Sequence, residues 1–370
     1  MDGDKNILLY PFSLIYSVVT DLRNFMYDTG ILPHHEFRLP VICVGNITVG
    51  GTGKTPHTEY LIGLLRKNFR VATLRRGYKR KSSGFRIVSS SLGVSEVGDE
   101  PMQIHNKYPD IPVAVDRYRV NGVKSILKKY PDTEVIILDD GFQHRRIKPG
   151  FSILLTDFNR LMINDYLMPY GRLRERASNM NRADVILITK SSEKISPIQR
   201  RIIVKEINKA AYQNLYFTAI EYKDPIPVFP QPAAHKLSFS GKKREGAGIV
   251  LLTGIANPLL LKEYVAGNFE EIIHLSFPDH HKFTDKDIAK VSGAFLNLNS
   301  VEKFLITTEK DAVRLREFTN IAELIRSSAY YIPVGIKFLN DDKDEFDNLI
   351  IDYVRKNKRN NRISESQRLH

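Results

Sequence analysis

Apolar residues fall along this chain in short solid runs separated by amphipathic stretches. Val41-Ile42-Cys43-Val44, the VATL of RVATLRR (70–76), the VAV of IPVAVD (111–116), VIIL (135–138), the SILL of FSILLTD (151–157) and the VILI of ADVILITK (183–190) form a series. Runs this short and this apolar suit strands buried on both faces. Between them, KTPHTEYLIGLLRKN (54–68) sets Tyr60, Leu61, Leu64 and Leu65 on one helical face. SEVGDEPMQIHNKY (95–108) opens a helix at Asp99-Glu100-Pro101, with acidic residues in its first turn, and RVNGVKSILKKY (119–130) reads as another helix. Strands alternating with helices predict an α/β fold: a mostly parallel sheet with helices on both faces.

The alternation lapses between 221 and 248, where four prolines in YKDPIPVFPQPAAH precede the polar KLSFSGKKREGAG, and GIVLLTGIANP then restarts it. The expected organisation is an N-terminal segment (1–30), a core domain (31–220), a linker (221–248), a smaller C-terminal α/β domain (249–352) and a basic tail (353–370). The N-terminal segment, NILLYPFSLIYSVVTDLRNFMYDTGILP, read as a helix from Pro11, sets Ile15, Val18, Val19, Leu22, Phe25 and Met26 on one side. Such a helix either lies on a membrane interface or packs on its own domain. No run reaches the roughly 18 apolar residues that span a bilayer.

Composition narrows the field. With 370 residues, 42% of them hydrophobic and 26% charged, the chain has enough material for two cores. Its single cysteine, Cys43, excludes an intrachain disulfide framework and sits in an apolar run, as a packed thiol does. The net charge of +13 points to an anionic partner: nucleic acid, a phosphorylated substrate or an acidic membrane surface. The basic clusters RRGYKRK (75–81) and HRRIK (144–148) lack interleaved stacking aromatics apart from Tyr78, which argues against nucleic acid.

VGNITVGGTGKTP (44–56), directly after the first apolar run, carries the candidate chemistry. Gly53, Lys54 and Thr55 complete the G-K-[ST] half of a phosphate-binding loop, while Thr48 stands where its first glycine belongs. Gly50, Gly51, Thr52 and Gly53 let backbone N–H groups converge at a helix N-terminus, which favours an anion. Lys54 can then reach nucleotide phosphates, Thr55 can hold Mg²⁺, and Pro56 is tolerated in the first helical turn. At the end of VIIL stand Asp139 and Asp140; a carboxylate there meets the need of a P-loop enzyme for a metal-holding group, with Asp140 assisting or meeting the substrate. These features leave open several P-loop enzymes, among them small-molecule kinases, ATPases and nucleic-acid-dependent NTPases.

VGGTGKTP, RRGYKRK, VGDEP, DDGFQHRR, MPYGRLRE, FPDHHKF and TEKDAV, in this order, resemble the tetraacyldisaccharide 4'-kinase (lipid A 4'-kinase) family over roughly residues 8 to 340. The resemblance implies transfer of phosphate from ATP, with Mg²⁺, to the 4'-hydroxyl of a lipid A disaccharide 1-phosphate, at the cytoplasmic face of a Gram-negative inner membrane. It implies ATP and metal binding by Lys54 and Thr55, a metal-holding role for Asp139, and Glu100 and Glu175 as acidic neighbours of metal or substrate. It further implies that Asp99 acts on the acceptor hydroxyl with a histidine of FPDHH, His280, or else its neighbour His281. Asn46, Arg76, Arg117, Gln143, His144 and Arg172 match family positions around sugar and phosphate, with Arg119 close enough to Arg117 to be confused with it. A polyacylated substrate favours the interfacial reading of the N-terminal helix, on the anionic inner-membrane surface.

Overall fold

The computed structural model describes residues 7–77, 80–229, 237–239, 243–279 and 281–366; Tyr78 and His280 lie outside the described residues. The apolar runs become β1 (Val41–Gly45), β2 (Val71–Arg75), β3 (Arg86–Ile87), β4 (Val113–Val115), β5 (Val135–Asp139), β6 (Phe151–Asp157), β7 (Val185–Thr189) and β8 (Asn214–Tyr222). A second sheet follows, from β9 (Ile226–Pro227), β10 (Arg244–Thr253), β11 (Phe269–Ser276), β12 (Glu302–Thr308) and β13 (Ala329–Ile332), before β14 (Val334–Phe338) rejoins the first. The large sheet has the order β14-β8-β7-β6-β1-β5-β2-β4-β3 and is parallel except at its edges, where β14 and β3 run antiparallel to their neighbours. In the smaller sheet the order is β11-β10-β12-β13-β9.

Both faces of the large sheet are buried, and β1 shows why its sequence has no polar alternation. Ile42 and Val44 join a core with Leu61, Ile62 and Leu65 of α2 (Lys54–Leu65), whereas Val41 and Cys43 point to the opposite core with Leu74 and Ile126. β1 lies between β5 and β6, with Val44 paired to Asp139, so the P-loop and the acidic pair emerge side by side at the carboxyl ends of adjacent strands. That is where open α/β sheets bind ligands.

The other helices are α1 (Tyr10–Asp28), α3 (Val94–Val97), α4 (Asp99–Lys107), α5 (Arg119–Lys129), α6 (Pro197–Ile207), α7 (Leu259–Ala266), α8 (Asp285–Leu296), α9 (Glu309–Leu315), α10 (Glu323–Ser327) and α11 (Lys343–Ser366). Among the described residues, no helix is long and apolar enough to cross a membrane. The expected division at 352 and 353 falls inside α11, whose Phe346, Ile350 and Val354 are buried in the core of the large sheet. Far from opening a free basic tail, residue 353 is a tyrosine whose ring lies 5.0 Å from that of Phe151. The second unit is therefore inserted between β8 and β14. Part of the expected linker, 244–248, is already strand β10.

α1 is inverted relative to an ordinary surface helix. Ser13, Ser17, Asn24 and Tyr27 are its buried residues, while Phe12, Ile15, Val18, Val19, Leu22 and Phe25 are each at least 58% exposed. Polar contacts hold its inner side: Ser13 Oγ donates to Leu167 O (2.9 Å), Tyr16 Oη to Arg174 O (2.9 Å), and Arg176 pairs with Asp21 (2.6 Å).

Candidate active site

Two glycines at positive φ make the turn from β1 into α2: Gly50 at φ 117° and Gly53, the residue before the helix, at φ 82°. Neighbouring strand ends tie down the loop's carbonyls. Thr189 Oγ1 donates to Thr52 O (2.9 Å), and Lys190, itself paired with Asp157 (2.7 Å), donates to Gly51 O. The first-turn N–H groups of α2 have no carbonyl one turn back, so the loop ends as an anion cradle.

Beneath it, His57 is 2% exposed, and burial pushes its pKa down to about 4, so the ring is neutral. Because Gly53 O can only accept, His57 Nδ1 carries the proton to it (2.7 Å), and Nε2 accepts from Thr218 Oγ1 (2.9 Å). His57 escapes a sequence reading because its partner, Thr218, is 161 residues away. Asn46, expected near sugar or phosphate, is instead fully buried within the loop. Its Nδ2 donates to Thr52 Oγ1 (2.9 Å), and its Oδ1 accepts from Lys54 Nζ (3.2 Å). These two bonds tie Asn46 to the P-loop and to Lys54.

Arg75, at the end of β2, organises the acidic groups. It pairs with Asp139 (2.9 Å) and Glu100 (2.6 Å), and its Nη1 donates to Thr55 Oγ1 (3.3 Å). Burial works against its charge, but Asp139, Glu100, Asp140 and Asp99 outweigh that and hold it protonated. Asp139 is fully buried, and burial pushes its carboxyl up to about 6 against the pull of Arg75. The ion pair is not aligned as a hydrogen bond, so both Asp139 oxygens are left without one. Asp140 sits at φ 56°. Burial opposes its ionisation, yet Lys54, Arg174, Arg75 and Arg119 together hold its carboxyl below the usual range.

Asp99 opens α4 after Gly98 and is 7% exposed. A cavity of about 30 Å³ is lined by Arg75, Arg76, Gly77, Asp99, Glu100 and Asp140, which brings the DEP and DDGF motifs to one point. From the inserted domain, α9 adds Arg314, whose Nη2 pairs with Asp99, and Lys310, 3.7 Å from Asp99 and 3.0 Å from Asp279 of FPDHH. His281 turns back into its own domain, with Nε2 3.0 Å from Asp287 and its ring stacked 4.7 Å from Phe277.

The remaining expected residues divide. Arg76 and Arg117 are exposed, whereas Arg119 is buried and donates to Asp116 O (2.7 Å) and Asp140 O (3.3 Å), so Arg119 is the one that reaches the acidic pair. Burial, then Arg119 and Arg76, push His144 down to about 4. Gln143 donates to Asn46 O, and its own carbonyl accepts from Arg23 of α1 (3.1 Å), linking the P-loop to the N-terminal helix. Arg172 presents its backbone carbonyl to Val49 N (2.8 Å) and an exposed side chain. Glu175, expected as a neighbour of metal or substrate, pairs with Arg182 and accepts from Asn24 of α1 (3.2 Å). Those partners make it an anchor of the N-terminal helix rather than part of the Thr55–Asp139 group.

Nearly the whole chain is similar to known proteins of one family. A family model described as tetraacyldisaccharide-1-P 4'-kinase matches residues 5–355. The tetraacyldisaccharide 4'-kinase of Bacteroides thetaiotaomicron is 44% identical over 369 residues, covering 98% of this chain and 97% of its own. That of Phocaeicola vulgatus is 45% identical over 361 residues, covering 97% and 98%. A crystal structure of LpxK from Aquifex aeolicus, an "apo" form in complex with ATP, superposes with a TM-score of 0.71 at 27% identity, over 93% of this chain and 98% of that one.

Proposed function

The chain belongs to the tetraacyldisaccharide-1-P 4'-kinase family and is a lipid A 4'-kinase; from that premise we propose that ATP is its phosphoryl donor and that its residues divide the work as follows. The anion cradle at Gly50–Thr55 and the Lys54 ammonium hold the nucleotide phosphates. Two buried Asp139 oxygens without hydrogen bonds, with the Thr55 hydroxyl beside the same guanidinium, fit a hard divalent cation that takes oxygen ligands. Mg²⁺ held there would offset charge on the phosphate oxygens. Arg75, paired with both Asp139 and Glu100, screens the repulsion between them.

Asp99 accepts the proton of the 4'-hydroxyl as it attacks, since a sugar alcohol is a weak nucleophile without a positioned base. His280 shares that proton, a role for which His281 is poorly suited because Asp287 already holds it. Arg76, Arg119, His144 and Arg172 surround the sugar and its phosphates, and Asp140 meets the acceptor beside Lys54. The exposed apolar side of α1 lies on an anionic membrane surface, at the cytoplasmic face of the inner membrane, where a tetraacyldisaccharide 1-phosphate would be met.

The observation that carries this reading is the small cavity walled by Asp99, Glu100, Arg75 and Asp140 next to the P-loop. Incubation with γ-labelled ATP and tetraacyldisaccharide 1-phosphate tests it: label is expected on the lipid. Asp99→Asn is expected to lower kcat by about 10²–10⁴ with ATP affinity retained. Near-normal turnover by that variant would remove Asp99 from the role of base.

A further inference from the structure

The TEKDAVR segment opens α9 with a hydrogen-bonded relay. Asp311 is fully buried; its Oδ2 accepts from Thr308 Oγ1 (2.7 Å) and from Gly254 N (2.8 Å), and its Oδ1 accepts from Arg314 Nη1 (2.9 Å) one turn on. With one arm of its guanidinium fixed in this way, Arg314 presents the other arm, Nη2, across the domain boundary to Asp99 Oδ2. Lys310 lies on the same side of α9, with Nζ 3.7 Å from Asp99, 3.9 Å from Glu100 and 3.0 Å from Asp279. Both cations therefore come from the inserted domain, while Asp99 belongs to the P-loop domain.

We propose that Arg314, oriented by Asp311, and Lys310 are positioning residues that set the rotamer and charge of Asp99, so that Asp99 is a competent base only while the inserted domain is docked on α4. The proposal rests on Asp99 being the base. A buried ion pair adds little net stability but fixes geometry, and removing one member leaves a charge stranded. Adhesion between the domains does not need this pair, because Lys107 at the far end of α4 already bridges Glu59 and Glu309. Among the described residues, the charged groups facing Asp99 are Arg314 and Lys310 from α9, Glu100 from its own helix, Arg75 at the end of β2 and Arg76 after it, Asp140 after β5 and Asp279 after β11; His280 lies outside the described residues. Arg314 and Lys310 of α9, among the described residues, make ion pairs with Asp99.

The test is kcat as a function of pH at saturating ATP and micellar lipid, for Arg314→Gln, Arg314→Lys and Lys310→Gln, with thermal unfolding alongside. Arg314→Gln is expected to lower kcat about 10²-fold with both KM values within about threefold of wild type. Its acid limb should move up by about one pH unit, since an adjacent cation lowers a carboxylate's pKa by that order. Arg314→Lys should return the limb towards wild type while recovering only part of kcat, because lysine restores the charge without the two-armed geometry. Lys310→Gln, which leaves the Asp311 relay whole, should shift the limb in the same direction by less. Unmoved limbs in both glutamine variants, or a rise in kcat, would overturn the proposal, and a fall in Tm with kcat and limb intact would make the pair simple adhesion. If Asp99→Asn turns over normally, the base assignment fails first, a result independent of the α9 variants.

Discussion

At the scale of single residues, Asp139 joins a buried carboxyl titrating near 6 to two oxygens without hydrogen bonds. A divalent cation needs the ionised form, so proton and metal compete. Mg²⁺ affinity, titrated with a non-hydrolysable ATP analogue bound, is expected to fall by up to ~10-fold per pH unit below about 6 and to be nearly lost at all pH values in Asp139→Asn. A pH-independent affinity in the wild type would mean that Asp139 does not hold the metal. Lys54, Thr55 and Asp139 are legible in the sequence because the first two complete a G-K-[ST] signature after an apolar run and the third ends one. Arg75 and Arg314 are not, since a cation in RRGYKRK or AVRLRE looks like any other until tertiary folding pairs it, in the case of Arg314 with a partner 215 residues away. Asn46 stands beside the P-loop in the sequence, and its amide bonds to Thr52 and Lys54 of that loop.

At the scale of elements, α1 repays attention because its apolar positions are visible in the sequence but its orientation is not. Serine, asparagine and tyrosine read as the wet side of a helix, and here they form the dry one, held by backbone carbonyls of 167 and 174 and by Glu175. Ile15 and Phe25 remain 64% and 58% exposed. Replacing both with serine is expected to weaken binding to anionic vesicles by about tenfold or more and to raise the apparent KM for micellar lipid, given ~1.5–3 kcal/mol per fully buried apolar side chain. Tm should barely move, since exposed substitutions usually stay within about ±0.5 kcal/mol. Lower thermal stability with unchanged vesicle binding would show that this side packs on protein. The strands of the core were the most legible elements, because both of their faces are dry. The short β3 and β9, with two residues each, carry too little pattern to be read.

At the scale of the whole molecule, the two domains are joined beneath α4 by Lys107, which bridges Glu59 on the P-loop helix and Glu309 on α9. Burial, then Glu309, push Glu59 up to about 7 from an ordinary 4.5. The folded protein thus keeps a proton that the unfolded chain releases, and the stability present below about pH 4.5 is lost as pH rises towards 7. Glu59→Gln, which mimics the protonated form, should gain on wild type with pH, the Tm difference widening by ~2 °C or more between about pH 5 and 8. A constant difference would remove Glu59 as the source. The proline-rich stretch follows β8, which ends at Tyr222, and holds β9 of the second sheet. The chain's return to the first sheet is hidden, because β14 and α11 read as a continuation of the second α/β pattern and only their pairing with β8 and the first core reveals where they belong. That return puts Val334 directly opposite Tyr222 in the β8–β14 ladder. The two ends of the inserted domain are therefore a hairpin's width apart, and a two-residue turn would close the gap. In evolutionary terms, a whole domain can be gained or lost at this edge as one cassette, without reordering a single strand of the nucleotide-binding sheet.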